Sequence, residues 1–174
     1  MSRPIAVLRP EPGNRATAAA IEAYGRRAIR LPLFEVRALP WATPDPAAFD
    51  ALVLTSANAV RHGGAGLARL QGLPVHAVGA ATATAARQVG FEVVAVGTGG
   101  AESVMAGAAA AGVRRALHLG GRERRLNAGD VIASAIAVYA SEPLPVDLVT
   151  AAPLAGAVAL IQSPRAGERL AGLV

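Results

Sequence analysis

Short apolar runs ending on small polar residues, spaced by helix-length segments, predict an α/β fold with parallel sheet in two similar halves. Three observations carry that expectation. The run Ala51-Leu52-Val53-Leu54 is apolar without alternation, as suits a parallel strand covered on both faces, and it passes at once into Thr55, Ser56 and Asn58. A second run, residues 157–161, passes likewise into Gln162-Ser163-Pro164, with Pro164 suited to a first helical turn. Between them strand-like and helix-like segments alternate, the pattern of β-α-β units with right-handed crossovers.

Taken in order, Ile5 to Leu8 reads as a strand and Arg9-Pro10-Glu11-Pro12-Gly13 as its turn. Asn14 is placed to cap a helix running to about Tyr24, with Gly25 as a left-handed stop. Ala28 to Leu31 is a second strand. Leu31 to Leu39 is extended around Pro32, which keeps it out of mid-sheet, and Trp41 to Pro46 is a connector. After the strand at 51–54, residues 57–70 should be helical, weakened by Gly63, Gly64 and Gly66. Val75 to Val78 is a strand ending in Gly79-Ala80-Ala81-Thr82, followed by a helix closed by Gly90. A strand from Glu92 to Val96 and a helix from about Glu102 to Ala111 come next. Ala116 to Leu119 is a strand entering Gly120-Gly121-Arg122, and Ala135 to Ala140 is a strand carrying Tyr139. Glu142 to Pro145 is a second connector, a short helix starts near Asp147, and a last helix ends at Val174.

Laid side by side, residues 5–39 correspond to 115–144, and 50–70 to 156–173. The segment 74–111 has no partner. The duplication therefore implies a complete fold extending roughly 40 residues or more beyond Val174, about one further β-α-β unit.

At 174 residues the chain can bury a core as one domain or two small ones. Aromatics are only 3%, which argues against a stacking surface for single-stranded nucleic acid. Cysteine is absent, so disulfides, thiolate catalysis and cysteine-ligated metals are excluded. Gly, Pro or charge interrupts every apolar run short of a membrane span, and no signal core precedes the first strand. A cytoplasmic location is the expectation. The net charge is +5 and all 17 basic residues are Arg. That usage follows from biased coding composition, or from a surface that attracts carboxylates and phosphates. With no Lys, a Schiff-base mechanism is excluded.

Several stretches together resemble uroporphyrinogen-III synthases: Val7-Leu8-Arg9-Pro10-Glu11-Pro12, Leu31-Pro32-Leu33-Phe34, Asp50 to Arg61, Val78-Gly79-Ala80-Ala81-Thr82, Leu117 to Arg122, Val138-Tyr139 and Ile161-Gln162-Ser163-Pro164. None is specific alone, and their order and spacing make the match. The resemblance implies two flavodoxin-like parallel-sheet domains joined by a two-stranded ribbon. One would be continuous, residues 37–145; the other would be split, residues 1–36 with 146–174, and incomplete at its C-terminal part. It also implies a reaction: hydroxymethylbilane, a linear tetrapyrrole with eight carboxylates, closes to uroporphyrinogen III with inversion of the last ring and loss of water. The family works without metal or cofactor, and a monomer is the expected state. By match to the family pattern, Tyr139 would assist departure of the hydroxyl. Ser56, Asn58, Thr82 and Ser163 would bind the carboxylate side chains, and Arg9 would orient the first strand's corner. The sequence departs from the pattern in Gln162-Ser163, where Thr-Ser is more usual, and in a segment 126–134 shorter than a helix plus turn. The family's C-terminal Gly-x-x-Thr corner would fall beyond Val174.

The same residues have plainer readings. Tyr139 can be a packed strand tyrosine, and Ser56, Ser163 and Thr82 can serve purely at helix starts. His62, His76 and His118 lack ligand spacing, and His118 reads as a satisfied core residue. Gly120-Gly121-Arg122 resembles part of a phosphate loop without the following Gly-Lys pair. Arg122, Arg124 and Arg125 read as a solvated face. The competing function from another class is a non-catalytic flavodoxin-like module that binds a nucleotide or a partner.

Overall fold

The computed structural model describes residues 2–124, 126 and 131–173. In chain order the elements are β1 (Ile5–Val7), α1 (Gly13–Ala23), β2 (Ala28–Arg30), β3 (Phe34–Ala38), β4 (Ala51–Leu54), α2 (Ala57–His62), β5 (Val75–Val78), α3 (Ala80–Gln88), β6 (Val93–Gly97), α4 (Ala101–Ala110), β7 (Ala116–Gly121), β8 (Ile132–Pro143), α5 (Leu148–Ala151), β9 (Val158–Leu160) and α6 (Pro164–Ala171). By contacts the chain divides into two units, Met1–Val36 with Ser141–Val174, and Arg37–Ala140. The expectations for Arg125 and for much of the segment 126–134 lie outside the described residues.

The first unit holds a parallel sheet in the order β2-β1-β9, with Ala6 paired to Ile29 on one side and Ala159 on the other. Its core is Ala6, Leu8, Leu33, Phe34 and Ala166, with Leu154 and Leu170 packed around it. Asn14 is not the cap of α1. The helix begins one residue earlier, and Pro12 offers it no side-chain cap. Asn14 is buried instead, donating from Nδ2 to the carbonyls of Val7 (2.7 Å) and Arg9 (3.1 Å). The Arg9 carbonyl lies past the end of β1 and gains its partner from this amide, while the Val7 carbonyl also accepts the Leu31 N–H at 3.1 Å. A Glu11 carboxylate oxygen takes the Arg15 N–H at 3.1 Å and does the capping.

The second unit is built on a six-stranded sheet in the order β3-β8-β7-β4-β5-β6. From β8 to β6 the strands are parallel, and β4 lies inside with all four residues buried. The β3 strand takes the edge, where a proline-flanked segment is tolerated. Its neighbour β8 runs antiparallel to it, since Leu39 N–H donates to Val138 and Leu144 N–H to Leu33. Both strands cross the boundary between the units. At twelve residues β8 is twice the expected length and takes in Glu142 and Pro143, because pairing with β7 and then β3 extends it beyond what its own residues signal.

The helix expected over 57–70 stops at His62, and Gly64–Leu70 is a 3₁₀ segment. Gly64 has φ +63, which no α-helix accommodates. Trp41 Nε1 donates to the freed Gly63 carbonyl at 2.9 Å, so the connector holds the break in place. On one face of the sheet, α4 sets Val104 and Ala108 against Ala51, Val53 and Ala116.

Candidate functional site at the carboxyl edge of the parallel strands

In the second unit the strand order turns back between β4 and β7: β5 and β6 lie to one side of β4, β7 and β8 to the other. In open α/β sheets the loops diverge at such a point and leave a crevice at the carboxyl ends. The corners after β4 and β7 flank the place where such a crevice is expected.

After β4, Thr55 and Ser56 follow Leu54 directly. Ser56 is extended, and its Oγ accepts from the Asn58 N–H at 3.2 Å, capping α2. Asn58 Oδ1 in turn accepts from Arg61 Nη1 at 3.3 Å. After β5, Gly79 at φ +79 turns the chain into α3, and no side chain caps the first turn. Its leading backbone N–H groups thus lack intrahelical partners, as at any helix start. Thr82 stands in that turn but is buried, at 4% exposure, so its hydroxyl is less open than the sequence suggests.

After β7 the two glycines have packing reasons. A Cβ at Gly120 would lie 2.5 Å from Cε1 of His118, and one at Gly121 would lie 2.7 Å from Cε2 of Tyr139. Glycine at both positions makes room for rings, so the phosphate-loop reading of this pair has no support in the geometry. Tyr139 pairs in register with Gly121, two residues beyond Leu119, which pairs with Leu54. Tyr139 thus stands level with Ser56 across β7. Its ring is largely buried, 6.3 Å from the His62 ring between centroids. Its hydroxyl has no hydrogen-bond partner among the described residues. Burial, then Arg61, lowers the His62 pKa, so that imidazole is neutral at pH 7.

Sequence reasoning missed the pair beneath this edge. His118 is fully buried, and its Nε2 lies 3.2 Å from Thr55 Oγ1, tying β7 to the residue before Ser56. Desolvation holds its pKa down to about 4. It is not the fully satisfied core histidine expected, because Nδ1 has no partner among the described residues. The available signal was Gly120, two residues on and therefore on the same face of the strand.

Ser56, Asn58, Thr82 and Tyr139 all lie in the second unit. Ser163 and Arg9 lie in the first, at the carboxyl ends of the neighbouring strands β9 and β1. Ser163 Oγ accepts from the Ala166 N–H at 3.3 Å and caps α6. Arg9 lies over Gly13, with Nη1 3.5 Å from Thr17 Oγ1, and is exposed. Also unread from sequence, Arg30 Nε donates to Asn14 Oδ1 at 2.9 Å and pairs with Glu11; the Arg15 N–H first, and then Arg30, lower the Glu11 pKa. Among the described residues no cluster of His, Asp or Glu could hold a metal ion, and no helix is long and apolar enough to cross a membrane.

Residues 15–165 match the family model described as uroporphyrinogen-III synthase HemD. No curated protein sequence matches the chain. Among solved structures, the uroporphyrinogen-III synthetase of Helicobacter pylori superposes with a TM-score of 0.64 at 18% identity, over 99% of this chain and 79% of that one. A mutant uroporphyrinogen III synthase from the extremely thermophilic bacterium Thermus thermophilus superposes with a TM-score of 0.52 at 20% identity, over 83% of this chain and 64% of that one.

Proposed function

The chain belongs to the uroporphyrinogen-III synthase family of tetrapyrrole biosynthesis, and from that premise we propose that it closes hydroxymethylbilane to uroporphyrinogen III through a spiro intermediate. The terminal hydroxyl leaves as water, giving an azafulvene. The substituted carbon of the last ring attacks it, and the spiro intermediate reopens and closes with that ring inverted. Spontaneous closure gives the uninverted isomer, so the protein's task is to hold one conformation of a flexible polyanion.

The observation that carries this reading is the unpartnered Tyr139 hydroxyl, level with the Ser56 corner at the point where the strand order turns back. A neutral phenol can donate a hydrogen bond to the departing oxygen. Ser56 and Asn58, with the open N–H groups before Thr82, take carboxylates of the substrate. Ser56 can do so while capping, since its hydroxyl hydrogen remains free to donate when the oxygen accepts from the helix.

The test is incubation with freshly prepared hydroxymethylbilane and separation of the isomers formed. The type III isomer is expected, and type I alone at the spontaneous rate overturns the proposal. Tyr139→Phe should lower kcat by about 10²-fold, with the urea midpoint unchanged. Unchanged turnover removes Tyr139 from the mechanism.

A further inference from the structure

The second unit holds a cavity of about 570 Å³ beside α4 and β6, lined by none of the residues assigned above. The packing explains why it is there. Val104 and Ala108 tie α4 to the core of Ala51, Val53 and Ala116, and where the helix runs along β6 the strand residues on its face, Ala95 and Gly97, are small. Across from them, Ser103 and Gly107 of α4, with Ala111 just past its end, form one stripe with little side chain. A Cβ at Gly107 would meet nothing within 4 Å.

Besides Ser103 and Asp50, one buried polar side chain meets this space. His76 is 4% exposed and lines the cavity, yet neither ring nitrogen has a hydrogen-bond partner among the described residues. Nδ1 is sealed from solvent, which leaves Nε2 as the nitrogen that reaches the cavity. Desolvation lowers the His76 pKa, so the ring is neutral at pH 7. A sealed N–H without an acceptor costs more than a sealed lone pair, which places the ring proton on Nε2 as a donor. At the amino end of the strands the Asp50 carboxylate accepts the N–H groups of Arg114 (2.9 Å) and Arg115 (3.1 Å) and brings negative charge to the rim.

We propose that this cavity is a binding site, separate from the tetrapyrrole site, for a small neutral apolar molecule carrying one hydrogen-bond acceptor. The volume falls in the range of ordinary ligand pockets. Pro74, Val104 and Val113 give the cavity apolar walls that disfavour a charged ligand, and Nε2 selects for a carbonyl or ether oxygen. The polycarboxylate of the proposed reaction therefore does not belong here.

Amide chemical shifts of the ¹⁵N-labelled chain, titrated with acetophenone, ethylbenzene and benzoate, test the proposal. Acetophenone is expected to give saturable shifts at Val94, Val96, Gly97 and Gly107, with benzoate giving none there. Gly107→Leu, a substitution at an exposed helical position that fills the space, should weaken binding about tenfold or more. His76→Phe should abolish the preference for acetophenone over ethylbenzene. No saturable shifts at these residues, equal binding of benzoate, or unchanged binding by Gly107→Leu would overturn it.

Discussion

The two strand-to-serine corners look alike in sequence and are secured by different means. In the second unit β4 is an interior strand, buried throughout, and its corner rests on a histidine wholly removed from water. In the first unit β9 is an edge strand with Val158 43% exposed. There the neighbouring corner is tied by the buried Asn14 amide and a half-exposed Arg30–Glu11 pair. The difference teaches that a similar run of residues acquires rigidity from where the sheet places it. Hydrophobic burial supplies it in one unit and directed hydrogen bonds in the other.

The sharpest test concerns acid. His118 has a folded pKa of about 4 against an ordinary 6.5. Below pH 6.5 the unfolded chain takes up a proton that the native ring refuses. Stability is therefore complete above pH 6.5 and falls as pH drops toward 4, by about 3 kcal/mol. Urea unfolding at pH 7.5 and 4.5 reads this directly. His118→Gln should flatten the slope whatever it does to stability at neutral pH, and an equally steep slope in that variant refutes the account.

Next in size is Asn14→Ala, which removes a buried amide bonded to the Val7 and Arg9 carbonyls and to Arg30 Nε, leaving the Arg9 carbonyl without that partner. The expected loss is about 2 kcal/mol. A loss under about 0.5 kcal/mol in chemical denaturation, the range of ordinary surface changes, would show that the first unit does not depend on this latch. The smallest effects compare the serines themselves. Ser56→Ala and Ser163→Ala should each cost about 1 kcal/mol of stability as lost caps. If both also bind carboxylate, each raises KM for hydroxymethylbilane several-fold, about 1 kcal/mol. A stability loss with unchanged KM would leave them as caps alone.

The parallel strands and their order along the chain were legible because unbroken apolar runs flanked by glycine and small polar residues leave few alternatives. The helix stops at Gly25, Gly90 and Gly112, all at positive φ, were equally legible. Asn14 was misread because a cap and a buried latch use the same amide. Which one forms depends on the ends of β1 and on Arg30, sixteen residues away. The His118–Thr55 contact spans 63 residues, and no local pattern encodes it.

By itself, then, the sequence determined which segments become strands, where helices stop, and which family the chain resembles, since all of these are carried by neighbouring residues and their spacing. Only the tertiary structure decided that the order reverses between β4 and β7, that Gly120 and Gly121 exist to admit two rings, and that α4 leaves a cavity over His76. Those facts arise where distant segments compete for the same space, and that competition is resolved only when the chain has packed.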